Sequence, residues 1–200
     1  MVDPADGRVI RSADRSEVHA GGLWHQVFHC LIVRPAAGTV LLQQRAATKS
    51  SFPGLLDLSA TGHLRAGEEP VAGVRELAEE LGVDIDPGRL VPLGTRLLAD
   101  NGGEGANRER MHVYLLPDDR PAAAYRPDPA EVAAVVEVGA RDLLDCWAGA
   151  AAAARRIDVD GGDEPLEVTV DQLVPAVDGY WTVLLVMTLR YLAGHRPLAI

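Results

Sequence analysis

Glu76, Glu79 and Glu80 are spaced three and four residues apart in a stretch, 70–81, that carries the marks of a helix. Pro70 suits a first helical position, and Gly82 sits where a left-handed C-terminal cap belongs. Val71, Val74, Leu77, Ala78 and Leu81 recur at intervals of three and four. At about 100° per residue they form one apolar stripe, and the glutamates fall opposite. Such like-charged neighbours repel by roughly a few tenths of a kcal/mol per pair. The pattern fits a solvated helix face or a set of oxygen ligands. A face built for solubility interleaves its acids with Lys or Arg, and here only Arg75 is available, at the margin. Mg²⁺ and Mn²⁺ are hard cations that take carboxylates and water, and either would turn the repulsion into ligation.

The rest of the chain must position that helix. Its 200 residues are 48% hydrophobic, enough for a substantial core in a single domain over 1–200. Nineteen Lys+Arg against 29 Asp+Glu gives a formal charge of −10. That balance argues against non-specific binding to nucleic acid or to an anionic membrane, which needs basic surface. Cys30 and Cys146 are far apart with no C-x-x-C pair, so neither a disulfide framework nor a cysteine zinc site is expected, and a reducing cytoplasm fits. The first residues lack the apolar core of a secretory signal. The most apolar run, 180–194, is interrupted by Arg190 and is shorter than the roughly 20 residues a membrane span requires. It reads as a buried helix or a subunit-interface helix, and only the second of these would make the chain a homodimer.

Asp6-Gly7 suggests a small hairpin within 1–20. Runs rich in β-branched and aromatic residues mark strands at 24–33, 39–44, 55–60, 91–98, 111–116 and 132–138. Beyond them the pattern gives a helix from 141 through the alanine-rich run 148–154, a flexible connection over 157–165 and a helical extension over 165–200. Strands mixed with a few helices imply layered α/β or α+β packing.

From Gly62 the chain reads GHLRAGEEPVAGVRELAEELGV, which resembles the Nudix box. Gly62, Glu68, Arg75, Glu76, Leu77, Glu79, Glu80, Gly82 and Val83 occupy its defining places. One departure stands out: six residues separate Glu68 from Arg75, where the box has seven. The likeness extends through VDPADGRVIRSADRSEVHAGGLWHQVFHCLIV and LLQQRAATKSSFPGLLDLSATGHL to the Nudix branch related to isopentenyl-diphosphate isomerases.

The resemblance implies a Nudix-type α/β/α sandwich, a mixed sheet between helices, and hydrolysis of a diphosphate linkage in a nucleoside diphosphate derivative. It makes Glu76, Glu79 and Glu80 ligands of Mg²⁺ or Mn²⁺, adds the Gly62 carbonyl as a further ligand, and gives Arg75 the task of orienting the carboxylates. Bound cations screen the diphosphate charge and lower the pKa of a bound water. One glutamate can take that water's proton, and which one does so differs among Nudix enzymes. Many members take one more acid from a later loop. Glu109 is the first choice and Glu104 and Glu131 are further candidates, each of them equally a solvated loop acid. Arg45 and Lys49, the latter the only lysine of the chain, lie where the related isomerases hold substrate phosphates; both also fit ordinary surface charges. His25 and His63 sit near positions that supply metal ligands in those isomerases. His25 and His29 share strand parity, as structural strand histidines also would.

Two rival readings follow from the same likeness. An isopentenyl-diphosphate isomerase uses a cysteine just before the Gly-His of the box loop, but here Ser59, Ala60 and Thr61 precede Gly62. A non-catalytic Nudix-fold sensor commonly loses box carboxylates, and this chain keeps all of them.

Overall fold

The computed structural model describes residues 1–100, 106–176 and 178–200, so Glu104 lies outside the described residues. Its centre is a hairpin of β1 (His25–Arg34) and β2 (Thr39–Arg45). The short strands β3 (Leu56–Asp57) and β4 (Ala60–His63) hook onto β2 and β1 respectively. β5 (Val91–Asp100) and β6 (Asn107–Pro117) extend the β1 side, with β6 parallel to β1. β7 (Val132–Gly139), β8 (Ala152–Asp158) and β9 (Asp163–Val168) extend the β2 side, all antiparallel. The order across the sheet is β5-β6-β1-β2-β7-β8-β9.

Strand alternation assigns the two faces. Leu31 and Val33 of β1 join one apolar cluster with α3 (Ala140–Trp147) and α4 (Tyr180–Leu192). Phe28, Cys30 and Ile32 join another with α2 (Arg75–Leu81). A mixed sheet between helices is the expected α/β/α sandwich.

The sheet splits where the site lies. β1 and β2 pair only over residues 32–34 and 39–41, after which β4 takes over the edge of β1 and β3 that of β2. The wedge is buried Ser59. Its Oγ accepts the Ile32 N–H at 2.7 Å and donates to the Leu41 carbonyl at 2.5 Å, satisfying both strands where they part.

Several elements differ from the sequence reading. The helix expected over 70–81 is a 3₁₀ turn, Pro70–Val74, running into α2. Gly73 lies so close to β1 that a Cβ there would stand 2.4 Å from Phe28 Cβ, so packing tightens the first turn. The helix expected through the alanine run stops at Trp147. Gly149, at φ +106°, ends it, and Ala152 and its neighbours pair with β7 and β9, so sheet hydrogen bonds override alanine's helix preference. The flexible connection over 157–165 is thus the β8–β9 hairpin. The N-terminal hairpin does form, with Val2 bridged to Val9 and the Asp3 N–H on the Arg8 carbonyl at 3.0 Å, but it is followed by an unexpected helix α1 (Arg15–Ala20).

α4 buries Tyr180, Trp181, Leu184, Leu185 and Thr188 within its own chain, leaving Val183 and Val186 outward. The apolar run is therefore largely accounted for without a second subunit. Among the described residues, no helix is long and apolar enough to cross a membrane.

Candidate active site

α2 reaches the split through its acidic side. The Glu76 carboxylate lies against Gly62 of β4, where a Cβ would come within 2.1 Å of its Cδ. Glu80 is buried, and its Oε2 accepts from the Thr61 N–H and from Gln43 Nε2, each at 3.1 Å. Burial pushes the Glu80 carboxyl up to about 8 despite the Thr61 hydrogen bond, and it raises Glu76 against the opposing charge of Arg75. Glu79 is half exposed.

Arg75 ties these acids together. Its Nη1 donates to Glu76 Oε1 at 2.5 Å and Glu79 Oε2 at 3.0 Å, its Nη2 to the His63 carbonyl at 2.9 Å, and its Nε to Glu68 Oε1 at 3.2 Å. Glu68 Oε2 also accepts the Arg65 N–H at 2.7 Å. Burial works against the Glu68 charge, but these partners outweigh it and hold the carboxyl below its usual range. The shortened spacing between Glu68 and Arg75 is thus absorbed by the 3₁₀ turn, and the two side chains still meet.

A second polar centre lies across β4. Successive strand residues alternate faces, so Thr61 and His63 point away from the side on which Gly62 meets Glu76. There His63 joins His25 of β1 and His19 of α1, one nitrogen of each ring lying within 4.8 Å of the others. His25 Nδ1 is 3.0 Å from the Leu23 carbonyl, which makes it the N–H and leaves Nε2 with the lone pair. Among the described residues, His25 Nε2, His19 Nε2 and Asn107 Oδ1 are buried without a hydrogen-bond partner. Unpaired buried polar atoms cost roughly 1–3 kcal/mol each. Two of them belong to rings of the trio, and a metal ion would satisfy both. Glu109 is there too: its Oε1 accepts from Asn107 Nδ2 at 2.9 Å and lies 3.9 Å from His25 Nε2. Burial lowers the pKa of His19 and His25 and takes that of His63 to about 3, so these rings are neutral, the ligand form, at physiological pH. The residues fit a divalent ion.

The sequence-derived ligand set therefore divides. Glu109 stands with the histidines, away from Glu76, Glu79, Glu80 and Gly62. Among the described residues, the group drawn closely enough together to hold an ion is the histidine trio. Of the box carboxylates, Glu76 and Glu79 share Arg75 Nη1, while Glu80 is held by Thr61 and Gln43. Sequence reasoning missed His19 and Asn107. Parity on β1 drew attention to His29 instead, whereas His19 arrives from a helix that no pattern announced.

Arg45 and Lys49 both have acidic partners. Arg45 donates from Nη1 to Asp57 Oδ2 and from Nε to the Ser51 carbonyl, each at 3.0 Å, and Lys49 pairs with Glu131. Deeper in, His29 Nδ1 meets the Tyr180 hydroxyl at 2.9 Å, and Arg96 lies over the Tyr180 ring. The C-terminal helix thus borders the same face as the histidines. Cys30 is fully buried on the opposite face among apolar side chains, and burial drives its thiol far above the usual range.

Comparison with known proteins agrees with this geometry. The NUDIX domain model matches residues 23–157. An uncharacterised Nudix hydrolase of Clostridium acetobutylicum is 33% identical over 186 residues, covering 89% of this chain and 90% of its own. An isopentenyl-diphosphate Delta-isomerase of Cutibacterium acnes is 34% identical over 148 residues, 70% of this chain and 73% of its own. The crystal structure of DR0079 from Deinococcus radiodurans shares the fold, with a TM-score of 0.54 at 24% identity over 74% of this chain and 86% of that one. With its domain model spanning more than half of the sequence and a hydrolase relative aligned along nearly all of it, the chain belongs to the Nudix family of hydrolases.

Proposed function

We propose that this enzyme hydrolyses the diphosphate linkage of a phosphorylated small molecule with Mg²⁺ or Mn²⁺, and that residues 1–200 act as one unit in the cytoplasm. The observation that carries the reading is the pair of buried carboxylates, Glu76 against Gly62 and Glu80 on the Thr61 N–H, presented by one short helix at the split of the sheet. Glu76, Glu79 and Glu80 would hold the box cation and Glu109 with His19, His25 and His63 a second one. A cation so held supplies charge screening on the diphosphate and an acidified water. Arg75 fixes the box carboxylates, Thr61 N–H orients Glu80, and Arg45 and Lys49 bind substrate phosphate.

A second reading, isomerisation of isopentenyl diphosphate, is favoured by the similar proteins that bear that name and by the histidine centre. The comparisons lean towards it more than towards any nucleotide substrate. Against it stands the thiol's absence from the box loop: Thr61 occupies that place, and Cys30 faces the other way.

One experiment separates the two. Isopentenyl diphosphate and a panel of nucleoside diphosphate derivatives are incubated with the protein and Mg²⁺ or Mn²⁺, with released phosphate and diphosphate and double-bond migration followed by NMR. Hydrolysis that disappears in Glu79→Gln or Glu80→Gln supports the first reading. Migration without phosphate release supports the second and overturns the first.

A further inference from the structure

Asp57 is a half-buried acid to which neither the box nor the histidine centre gives a task. In the β2–β3 register it stands opposite Gln43, and antiparallel partners point to the same face. Gln43 is the side chain that donates to Glu80, so Asp57 shares the face of the box helix. Asp57 Oδ1 accepts the Leu58 N–H at 2.8 Å, and Oδ2 accepts Arg45 Nη1 at 3.0 Å. Side-chain exposure is 15% for Asp57 and 12% for Arg45, so both side chains are held largely out of solvent.

The guanidinium is pinned on two nitrogens, Nη1 by Asp57 and Nε by the Ser51 carbonyl. Among the described residues its third, Nη2, has no hydrogen-bond partner, and it is not one of the buried unpartnered atoms, so it is left with some solvent exposure. The neighbourhood is acidic. Lys49 has already been drawn onto Glu131, and Arg75 onto Glu68, Glu76 and Glu79. An unheld guanidinium on this face would be drawn towards the box acids in the same way, competing with a cation and hiding its own donors. A carboxylate that grips one edge of an arginine prevents this and leaves the other edge aimed, because the planar fork fixes the relative directions of its N–H groups.

We propose that Asp57 is a positioning residue that holds Arg45 off the box carboxylates with Nη2 presented to a substrate phosphate. The proposal rests on the reading of Arg45 as a diphosphate contact.

The test is calorimetric titration of inorganic diphosphate, in the presence of Mg²⁺, into the wild type, Asp57→Asn, Arg45→Ala and the double variant. Separate titrations with Mn²⁺ alone and thermal unfolding accompany it. Asn keeps the shape and the Leu58 hydrogen bond, so folding is retained. The expected result is a loss of diphosphate affinity of about tenfold in Asp57→Asn, a similar loss in Arg45→Ala, and little further loss in the double variant. Mn²⁺ affinity stays at the wild-type value. Diphosphate binding by Asp57→Asn at wild-type strength, or losses that simply add, would overturn the proposal. So would a fall in Mn²⁺ affinity, which would make Asp57 a ligand. Normal diphosphate binding by Arg45→Ala overturns the underlying contact instead. The readout needs no turnover, so a failure of the hydrolase reading is visible separately.

Discussion

The carboxylate of Glu76 occupies the space a side chain on Gly62 would need. A Cβ at Gly62 would stand 2.1 Å from Glu76 Cδ and 2.2 Å from Oε1. The glycine of the box loop is therefore the seat of the first box acid, and Gly62→Ala displaces that acid without touching the helix that carries it. The expected outcome is a folded protein, destabilised by about 1–3 kcal/mol, whose turnover falls by about a hundredfold because a ligand has moved by an ångström or so. Kinetics alongside thermal unfolding check this; unimpaired turnover would detach Glu76 from the chemistry.

Arg75 bridges partners that lie in different directions, which a point charge on a flexible stem cannot reproduce. Arg75→Lys should lose about 2–3 kcal/mol of stability through its half-buried hydrogen bonds. Glu68→Gln should lose part of the same amount. The two losses should not add, since they break one network. Urea unfolding of both single variants and the double variant measures the coupling.

Glu80 gives the metal-free protein a pH signature. Its folded pKa is raised to about 8 from an ordinary value of 4.5. A raised carboxyl favours the folded state while protonated, so its contribution is complete below pH 4.5 and is lost as pH climbs through about 8. In chelator the melting temperature should decline across that window, and Glu80→Gln should flatten the decline. Added Mg²⁺ or Mn²⁺ should restore most stability at the alkaline end, where the carboxylate is ready to ligate. A wild-type profile identical to that of Glu80→Gln would contradict the assignment.

The histidine centre should be insensitive to mild acid. With His63 at about 3 and His19 and His25 also lowered by burial, proton competition at pH 6 is weaker than for ordinary histidines, which are largely charged there. Mn²⁺ affinity of a Glu79→Gln variant, titrated at pH 8 and pH 6, should therefore change little. Adding His63→Ala should weaken it by at least about tenfold at both values. A steep loss between pH 8 and pH 6 would place that ion elsewhere.

The box helix was legible because its evidence is local: apolar spacing, the cap at Gly82, and carboxylates in a fixed order. The central strands were legible from β-branched runs for the same reason. What escaped depends on partners distant in sequence. Ala152 and Ala154 look helical alone, yet they lie in a strand because β7 and β9 flank them. Asn107 and His19 are 88 positions apart and acquire meaning only when β6 lies beside β1 and α1 brings His19 against His25 and His63. The shortened box spacing resisted interpretation since its remedy, a 3₁₀ turn pressed onto Phe28 through Gly73, is a matter of packing.

β1 touches both centres, turning His25 and His29 to one side and Phe28, Cys30 and Ile32 to the other. Sliding this strand by a single residue would exchange the two sets, thrusting Phe28 among the histidines and an imidazole into oil. Inherited changes that loosen the pairing of β1 with β4 and β6 are thus punished twice, once as instability and once as lost chemistry. The interior and the reactive cleft of this molecule are bound to evolve in step.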